Sequence, residues 1–320
     1  MTNNIQFSSV CGIDIAKSVM QVYKVTSDGV VSNKAVKRAD FLNEFRNIPP
    51  ALIGMEACGG SQHWARELQS LGHTVHLMPP KLVKPYVTGL KNDKNDARGI
   101  YKALEMSVRE VPVKSAAIRD LALLQTMRTK RQREKVAKIN HIRGILTEYG
   151  LVMGKSINAF LAKAGSLIVQ LKERADVSPY IVSELTALFR EVKEAMEKIK
   201  ELETNIDSIA KTLKQYDLFR SAPGVGPITA ATMLVLLCNP AVFKNGREFA
   251  AYIGLAPKSS GSGGKNFVTH IPKKCECNND VRALLVQCAH SICRCKHKSD
   301  WVSSILAKKK KKFAIIAIAN

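Results

Sequence analysis

An ordered succession of short apolar runs in the first hundred residues restricts the fold more than any other feature of this sequence. Three β-like runs come first, at Ser9–Ile15, Val19–Thr26 and Val30–Val36. A Ser27-Asp28-Gly29 turn separates the second run from the third. Runs of this length with turn residues between them predict an antiparallel meander.

After the meander, predicted strands alternate with predicted helices. A helix at Asp40–Asn47 precedes a strand at Ala51–Met55, and a second helix ending at Leu71 precedes a strand at Thr74–Met78. A further helix begins within Lys91–Arg98. This alternation is typical of an α/β domain, which we assign to residues 1–107.

Acidic residues lie where these strands and helices end or begin. Asp14 lies in the first apolar run, Glu56 follows the strand at 51–55, and Asp93 and Asp96 lie three residues apart at a helix start. Residues with that spacing share a helix face, and ligands of open α/β sheets bind at the carboxyl ends of strands. A carboxylate inside an apolar strand is costly unless it is paired or binds a metal. Two simpler interpretations stay open: Asp14 in a tight turn, and first-turn acids that suit the helix dipole.

The order of strands and helices, with these acids, resembles the ribonuclease H-like fold in its RuvC-type junction-resolvase branch. That resemblance implies that the carboxylates hold Mg²⁺ against a phosphodiester, because magnesium prefers hard oxygen ligands and leaves positions open for phosphate. The residues concerned are Asp14, Glu56, Asp93 and Asp96.

The net charge of the chain points to a polyanionic partner. A formal charge of +22 is far more than solubility requires, and it favours nucleic acid or an anionic membrane. The apolar runs Ala230–Leu237 and Phe313–Ala319 are too short to span a bilayer, and Met1–Ser9 has no signal-peptide features. We therefore expect a cytoplasmic, nucleoid-associated protein that does not bind membranes.

Residues 108–217 are predicted to form a basic helical and coiled-coil region. Ser107–Gly150 carries ten basic and four acidic residues, so its net charge is +6. A cationic helix face of this density favours phosphate contact over a merely solvated surface, which is the open alternative. The side chains predicted to contact nucleic acid are Arg128, Lys130, Arg131, Arg133 and Lys138.

A heptad-like pattern of Leu and Ile occupies Pro179–Asp217, and its charges are mixed in sign. This pattern predicts a helical coiled-coil spacer that could dimerise. An intramolecular helical hairpin is the alternative, because the repeat runs for only about four heptads.

The remaining residues, 218–320, are predicted to form a mainly α C-terminal domain. Ser221–Ala230 resembles a helix-hairpin-helix element, in which Gly224 and Gly226 let backbone N–H groups approach a phosphate. A glycine turn between two core helices would have a similar sequence. A serine- and glycine-rich loop that ends at Lys265 has the composition of a linker. Basic residues in and after this loop, Lys265, Lys273 and Lys274, are further predicted nucleic-acid contacts.

Cysteines cluster near the C-terminus without the spacing of a usual zinc site. Eight cysteines in a chain of this length, with no export signal, indicate reduced thiols. The pairs Cys275-Glu276-Cys277 and Cys293-Arg294-Cys295 differ from the two-residue spacing of zinc knuckles, and Asp280–Cys295 has the pattern of one amphipathic helix. We therefore predict no zinc site.

Six short motifs along the chain together resemble one family. In chain order they are Gly12–Lys17, Gly54–Gly59, Lys91–Ala97, Pro223–Gly226, Tyr252–Pro257 and Ser262–Lys265. Their order and spacing resemble those of the DEDD insertion-sequence transposases of the IS110 family, which includes the Piv-type DNA invertases.

This resemblance implies a DNA recombinase with two catalytic parts. One is a RuvC-like domain whose Asp14, Glu56, Asp93 and Asp96 bind Mg²⁺. The other is a serine nucleophile, which in the family pattern stands five residues after the proline of a Gly-Leu-x-Pro element. That position is Ser262 here, although Ser260 also precedes a glycine and Ser259 is adjacent. The serine would form a covalent phosphoserine–DNA intermediate. The sequence names no base for it: Lys265 and His270 could serve, but the alternative role, phosphate contact, is favoured for each.

The resemblance also implies partners. They are donor and target DNA, a structured noncoding bridge RNA that pairs with both, and other copies of the chain in a tetramer built as a dimer of dimers. Two other functions stay open: a Mg²⁺-dependent junction-resolving endonuclease that uses only the acids, and a non-catalytic nucleic-acid-binding module.

Overall fold

The protein is described by a computed structural model that covers residues 7–257, 259–262, 265–268, 271 and 279–320. Two compact units divide the chain. One comprises Met1–Ser115 with Cys238–Lys244, and the other comprises Ala116–Leu237 with Asn245–Asn320.

The first unit contains a five-stranded mixed sheet with helices on both faces. Its strands are β1 (Ser9–Ile15), β2 (Val19–Thr26), β3 (Val31–Lys37), β4 (Leu52–Glu56) and β5 (Thr74–Met78). Its α-helices are α1 (Asn43–Arg46), α2 (Ser61–Ser70), α3 (Pro80–Val83) and α4 (Asp93–Glu105), and its 3₁₀ turns are Lys84–Tyr86 and Pro240–Val242.

The strand order in this sheet is β3-β2-β1-β4-β5. β1, β2 and β3 pair antiparallel, as the predicted meander requires, whereas β4 and β5 extend the sheet in parallel from β1. The predicted α/β arrangement of this part of the chain is confirmed.

Side chains alternate between the two faces of the sheet. Cys11 and Ile13 of β1 belong to the core that includes Phe41 and Phe45, near and within α1, and Trp64 of α2. The alternate residues of β1 face the other way, where Val10 packs with residues of α4 such as Ile100 and Leu104.

The second unit is mainly helical, as predicted. Its helices are α5 (Ala116–Glu148), α6 (Ile157–Lys172), α7 (Pro179–Lys211), α8 (Tyr216–Ser221), α9 (Pro227–Leu236), α10 (Gly246–Tyr252), α11 (Asn279–Arg294), α12 (Asp300–Lys308) and α13 (Lys311–Ala319). Its strands, β6 (Ser259–Ser262) and β7 (Lys265–Val268), form an antiparallel pair.

The heptad pattern of α7 is buried within a single chain. Leu185, Val192, Ile199 and Ile206 recur every seventh residue and are all buried. Leu185 and Val192 share a core with residues of α5 and α6. Packing within one chain, the alternative to a coiled-coil dimer, therefore accounts for the burial of Leu185 and Val192 without a second copy of the chain.

The serine- and glycine-rich segment corrects one expectation. Its composition indicated a flexible linker, but Ser259–Ser262 and Lys265–Val268 form β6 and β7. Backbone pairing can hold residues of low strand propensity in a strand, because the propensity scale spans only about 1 kcal/mol.

Among the described residues, no helix combines the length and the apolar character needed to cross a membrane.

Candidate active site

Strand register brings Asp14 and Glu56 to one face of the sheet. β1 and β4 are parallel neighbours, and Gly12 of β1 lies opposite Gly54 of β4. Each acid stands two residues after its glycine, so both side chains point to the glycine-bearing face near the carboxyl ends of the strands. Both carboxyl groups are half-buried there.

The two glycines allow α4 to lie directly on this face. A Cβ atom at residue 12 would clash with the carbonyl oxygen of Ala97 and with the backbone nitrogen of Tyr101, and it would lie 2.8 Å from the Cα atom of Tyr101. A Cβ atom at residue 54 would lie 2.9 Å from the side chain of Met78. The contact with Ala97 brings the first turns of α4, including Asp96, to the strand that carries Asp14.

An asparagine, and not an acid, caps α4. The Oδ1 atom of Asn92 accepts a hydrogen bond from the backbone nitrogen of Asn95 at 2.9 Å. The side chain of Asn95 in turn donates to the carbonyl oxygen of Leu90 at 2.8 Å. Asp93 and Asp96 are therefore not needed to cap the helix, although both benefit from its dipole. Asp93 is exposed and Asp96 is half-buried.

The acids repel one another in the folded protein. Burial raises the pKa of Asp14, and the charges of Asp96 and Asp93 raise it further. Burial also raises the pKa of Glu56, with added contributions from Asp14 and Asp96. Lys91 partly offsets both pKa shifts. The structure thus brings together all four carboxylates predicted from sequence, and it adds Lys91, which sequence reasoning had not assigned to the site.

The donor set has the chemistry of a Mg²⁺ site. It consists of carboxylate oxygens, which magnesium prefers, and its mutual repulsion is of the kind that a cation relieves. Within the described part of the chain, however, no three His, Cys, Asp or Glu side chains already stand in a metal-binding arrangement. The carboxylates are close enough to interact electrostatically and would have to close further around an ion.

Comparison with known proteins places this chain in a family. A model of IS110-type DEDD enzymes, described as "Transposase", matches residues 11–151, and a model described as "Transposase IS116/IS110/IS902 family" matches residues 216–302. A probable family 20 transposase of Pseudomonas aeruginosa is 33% identical over 97% of this chain and 93% of its own length. The transposase for insertion sequence element IS1111A of Coxiella burnetii is 32% identical over 97% of this chain and 86% of its own. The chain belongs to the IS116/IS110/IS902 transposase family. As a transposase it is an enzyme that acts on DNA.

The serine motif of the transposase lies at the β6–β7 pair. Ser259 and Ser260 precede Ser262 in β6, and Ser262 is paired with Lys265 of β7. Lys273, Lys274 and His270 lie outside the described residues, as do Cys275 and Cys277.

Three of the five basic side chains predicted on α5 of the transposase have acidic partners on other helices. Arg128 pairs with Glu203 at 2.6 Å, Arg133 with Asp280 at 2.8 Å and Lys138 with Glu191 at 2.6 Å, each acid lying on another helix. Lys130 lies 3.9 Å from Glu134 on its own helix and is 78% exposed. Arg131 is exposed and has no ion pair with any described residue. Lys130 and Arg131 are therefore the members of this set that are most available to phosphate.

The two glycines of the helix-hairpin-helix-like element differ in their surroundings. Gly224 has a φ angle of 76°, and a Cβ atom there would lie 2.7 Å from the carbonyl oxygen of Cys288 in α11. Its absence of a side chain is thus needed for packing. Gly226 precedes α9 and has open space around its Cα atom, and no side chain caps that helix. A first turn without a side-chain cap can offer backbone N–H groups to a phosphate.

Sequence reasoning missed why each acidic strand motif begins with glycine. Gly12 lies in the middle of β1, so the tight turn that was open as an interpretation of Asp14 does not begin there. The usable signal was the repeated spacing, because Gly12-Ile13-Asp14 and Gly54-Met55-Glu56 each place a glycine two residues before an acid. When two neighbouring strands share this spacing, the glycines allow a helix to pack closely on one face of the sheet, and the acids lie on that same face.

Replacing glycines in these motifs should produce a graded loss of stability. Gly12→Ala forces the backbone of α4 away from β1, and we expect a loss of about 3 kcal/mol in the free energy of unfolding. Gly54→Ala meets flexible side chains and should cost about 1 kcal/mol. Gly59→Ala is the control, since no atom lies within 4 Å of the added methyl group. Chemical denaturation measures the series, and an equal effect at all three positions would contradict the proposed packing.

Proposed function

We propose that this transposase cleaves and rejoins DNA with a Mg²⁺-dependent DEDD site and a serine nucleophile, guided by a bridge RNA. The observation that carries the proposal is the convergence of Asp14, Glu56 and Asp96 on one face, where Asp96 raises the pKa of both Asp14 and Glu56, and Asp14 raises that of Glu56. The strand order fits an RNase H-like fold of the RuvC type. The proposed functional division is a catalytic domain at residues 1–107, a basic helical and coiled-coil region at 108–217, and a C-terminal domain with the serine at 218–320.

The acids are the proposed metal ligands. Asp14, Glu56 and Asp96 are half-buried and would bind the ion directly, whereas exposed Asp93 would bind it or orient Asp96. When bound, Mg²⁺ supplies a Lewis acid for the phosphate oxygens. Lys91 contributes a fixed positive charge at the same site, which favours an anionic phosphodiester.

Ser262 is the proposed nucleophile. Its hydroxyl group loses a proton, its oxygen forms a bond to phosphorus, and the bond from phosphorus to one deoxyribose oxygen breaks. The released oxygen takes up a proton. The resulting phosphoserine ester conserves the energy of the broken bond, so that attack by a second DNA hydroxyl group can rejoin strands and free the serine. Lys265 and His270 could act as its base, although phosphate contact is the favoured role for each.

A bridge RNA is the proposed guide. Base pairing would read the donor and target DNA sequences, while the protein holds the nucleic-acid backbones. The surfaces assigned to RNA and DNA are the exposed part of α5, including Lys130 and Arg131, the first turn of α9 at Gly226, and the basic C-terminal segment with Lys265, Lys273 and Lys274. Family resemblance further supports a tetramer in which the acids of one subunit act with the serine of another.

RNA capture tests the guide. The transposase is co-expressed with the DNA that flanks its own gene, purified, and its bound RNA is sequenced. We expect one discrete RNA encoded by the flanking DNA. Replacing both Lys130 and Arg131 by alanine should weaken RNA binding and reduce the slope of log affinity against log salt by about 1–2 units. Lys198→Ala is the control, because it removes an exposed positive charge from the mixed-charge helix α7. Recovery of no discrete RNA would contradict the proposed guide.

A further inference from the structure

A buried glutamine stands directly beside Asp14 on the neighbouring strand. Gln21 of β2 is the register partner of Asp14 of β1, and partners in an antiparallel pair share one face of the sheet. The glutamine is only 5% exposed, so its amide requires hydrogen-bond partners inside the protein. Its Nε2 atom donates a hydrogen bond to Oδ1 of Asn33 on β3 at 2.6 Å.

Asn33 extends this connection to the helix that carries the other acids. Its Nδ2 atom donates to the carbonyl oxygen of Lys94 at 3.1 Å. Because a carbonyl oxygen only accepts hydrogen bonds, the orientation of the Asn33 amide is fixed, and its Oδ1 atom must face Gln21. Lys94 lies between Asp93 and Asp96 in the first turn of α4.

These two hydrogen bonds link the sheet beside Asp14 to the helical turn that bears Asp93 and Asp96. The Gly12–Ala97 contact holds α4 at the residue directly after Asp96, and the Asn92 cap is local to the helix. Helix ends fray readily, so the part of the first turn that precedes Ala97 needs a second tie to the sheet, at Lys94. Among the described residues, the side-chain hydrogen bond from Asn33 provides that tie.

We propose that Gln21 and Asn33 are positioning residues of the metal site, which set the distance between the carboxylate of β1 and those of α4. This inference rests on the proposed function, because it assumes that the four acids bind a divalent cation. Neither side chain contacts the ion. Their role is comparable to that of residues that orient metal ligands without binding the metal themselves. Loss of such a residue lowers metal affinity by about 10-fold to 100-fold.

Metal-dependent thermal stabilisation of the full-length protein, with MgCl₂ and MnCl₂ as probes, tests the inference. Asn33→Ala and Asn33→Leu both remove the two hydrogen bonds, and leucine keeps a similar shape. We expect each variant to need about 10-fold more metal for half-maximal stabilisation. The control is Lys34→Ala on the same strand, which breaks an ion pair with Glu44 and should leave metal affinity unchanged.

Hydrogen exchange in metal-free protein gives a second readout that does not depend on activity. Peptides covering Lys91–Arg98 should exchange faster in both Asn33 variants than in wild type, while β1 and β4 exchange normally. Wild-type metal affinity together with wild-type exchange in both variants would overturn the inference. Metal should stabilise the wild type, and Asp14→Asn should remove that stabilisation. If either result is absent, the proposed metal site is wrong, and the inference that rests on it is wrong as well.

Discussion

Replacing Asp14 by asparagine is expected to abolish DNA strand cleavage and at the same time to stabilise the folded protein. Asp14 is a proposed metal ligand, and loss of such a ligand should remove several kcal/mol of transition-state stabilisation, so cleavage should fall by about 10³-fold or more. The stability gain has a separate cause. Burial and the charges of Asp96 and Asp93 raise the pKa of Asp14, so its ionised form is unfavourable in the folded protein.

The sign of the pH dependence follows from that shift. Because the folded-state pKa is raised, the contribution of Asp14 to stability is fully present below the unfolded-state pKa of about 4 and is lost as the pH rises through the folded-state value. Asparagine does not ionise, so Asp14→Asn should raise the melting temperature at pH 7 by about 2–4 °C in metal-free buffer. The difference from wild type should vanish near pH 3–4.

Asp28 provides the matched control for this substitution. It is an exposed acid whose pKa is lowered by a hydrogen bond from the Thr26 side chain in the β2–β3 turn. Its contribution to stability is present above the unfolded-state pKa and lost as the pH falls. Asp28→Asn should therefore keep full cleavage activity and should not stabilise the protein at pH 7. Full cleavage by Asp14→Asn, or a melting temperature below that of wild type at pH 7, would contradict the assignment.

Replacing Ser262 by alanine is expected to eliminate both DNA cleavage and the covalent protein–DNA adduct. The acids would still bind metal and DNA, but the oxygen that forms the bond to phosphorus would be absent. The adduct is measured by denaturing electrophoresis of labelled DNA and located by mass spectrometry of the joined peptide. DNA binding should remain at the wild-type level.

Ser259→Ala and Ser260→Ala are the controls, because both residues lie on the same strand, β6. Each should keep the adduct. If the adduct disappears in Ser259→Ala or Ser260→Ala and persists in Ser262→Ala, the nucleophile is the serine whose replacement removed the adduct. If Ser262→Ala cuts DNA at the wild-type rate without an adduct in any protein, the recombinase proposal fails and a junction-resolving endonuclease that uses only the acids explains the site.

Local patterns in the sequence predicted the elements around the acids well. The bounds of β1, β2 and β5 match the predicted runs, because alternating apolar residues and turn residues specify them locally. The order of a three-strand meander followed by two strands that alternate with helices was also predicted from these runs. The sequence therefore identified the elements that carry Asp14, Glu56, Asp93 and Asp96.

Features that depend on long-range packing could not be predicted in this way. The close approach of Ala97 to Gly12 joins residues far apart in the chain, and no local periodicity reports it. The pairing of Arg133 with Asp280 is equally invisible in the charge pattern of α5. The β6–β7 pair was missed because serine and glycine provide almost none of the apolar side chains by which strands are recognised.

The most direct test of the central claim, that carboxylates from β1, β4 and α4 form one divalent-metal site, is the binding of Mn²⁺ to the purified protein. Equilibrium binding is followed by electron paramagnetic resonance of the free ion for wild type, Asp14→Asn, Glu56→Gln, Asp96→Asn and the Asp28→Asn control. We predict that wild type and Asp28→Asn bind Mn²⁺ with the same affinity, and that each of the other three substitutions weakens the same binding step. Wild-type affinity in Asp14→Asn, Glu56→Gln and Asp96→Asn would contradict the claim.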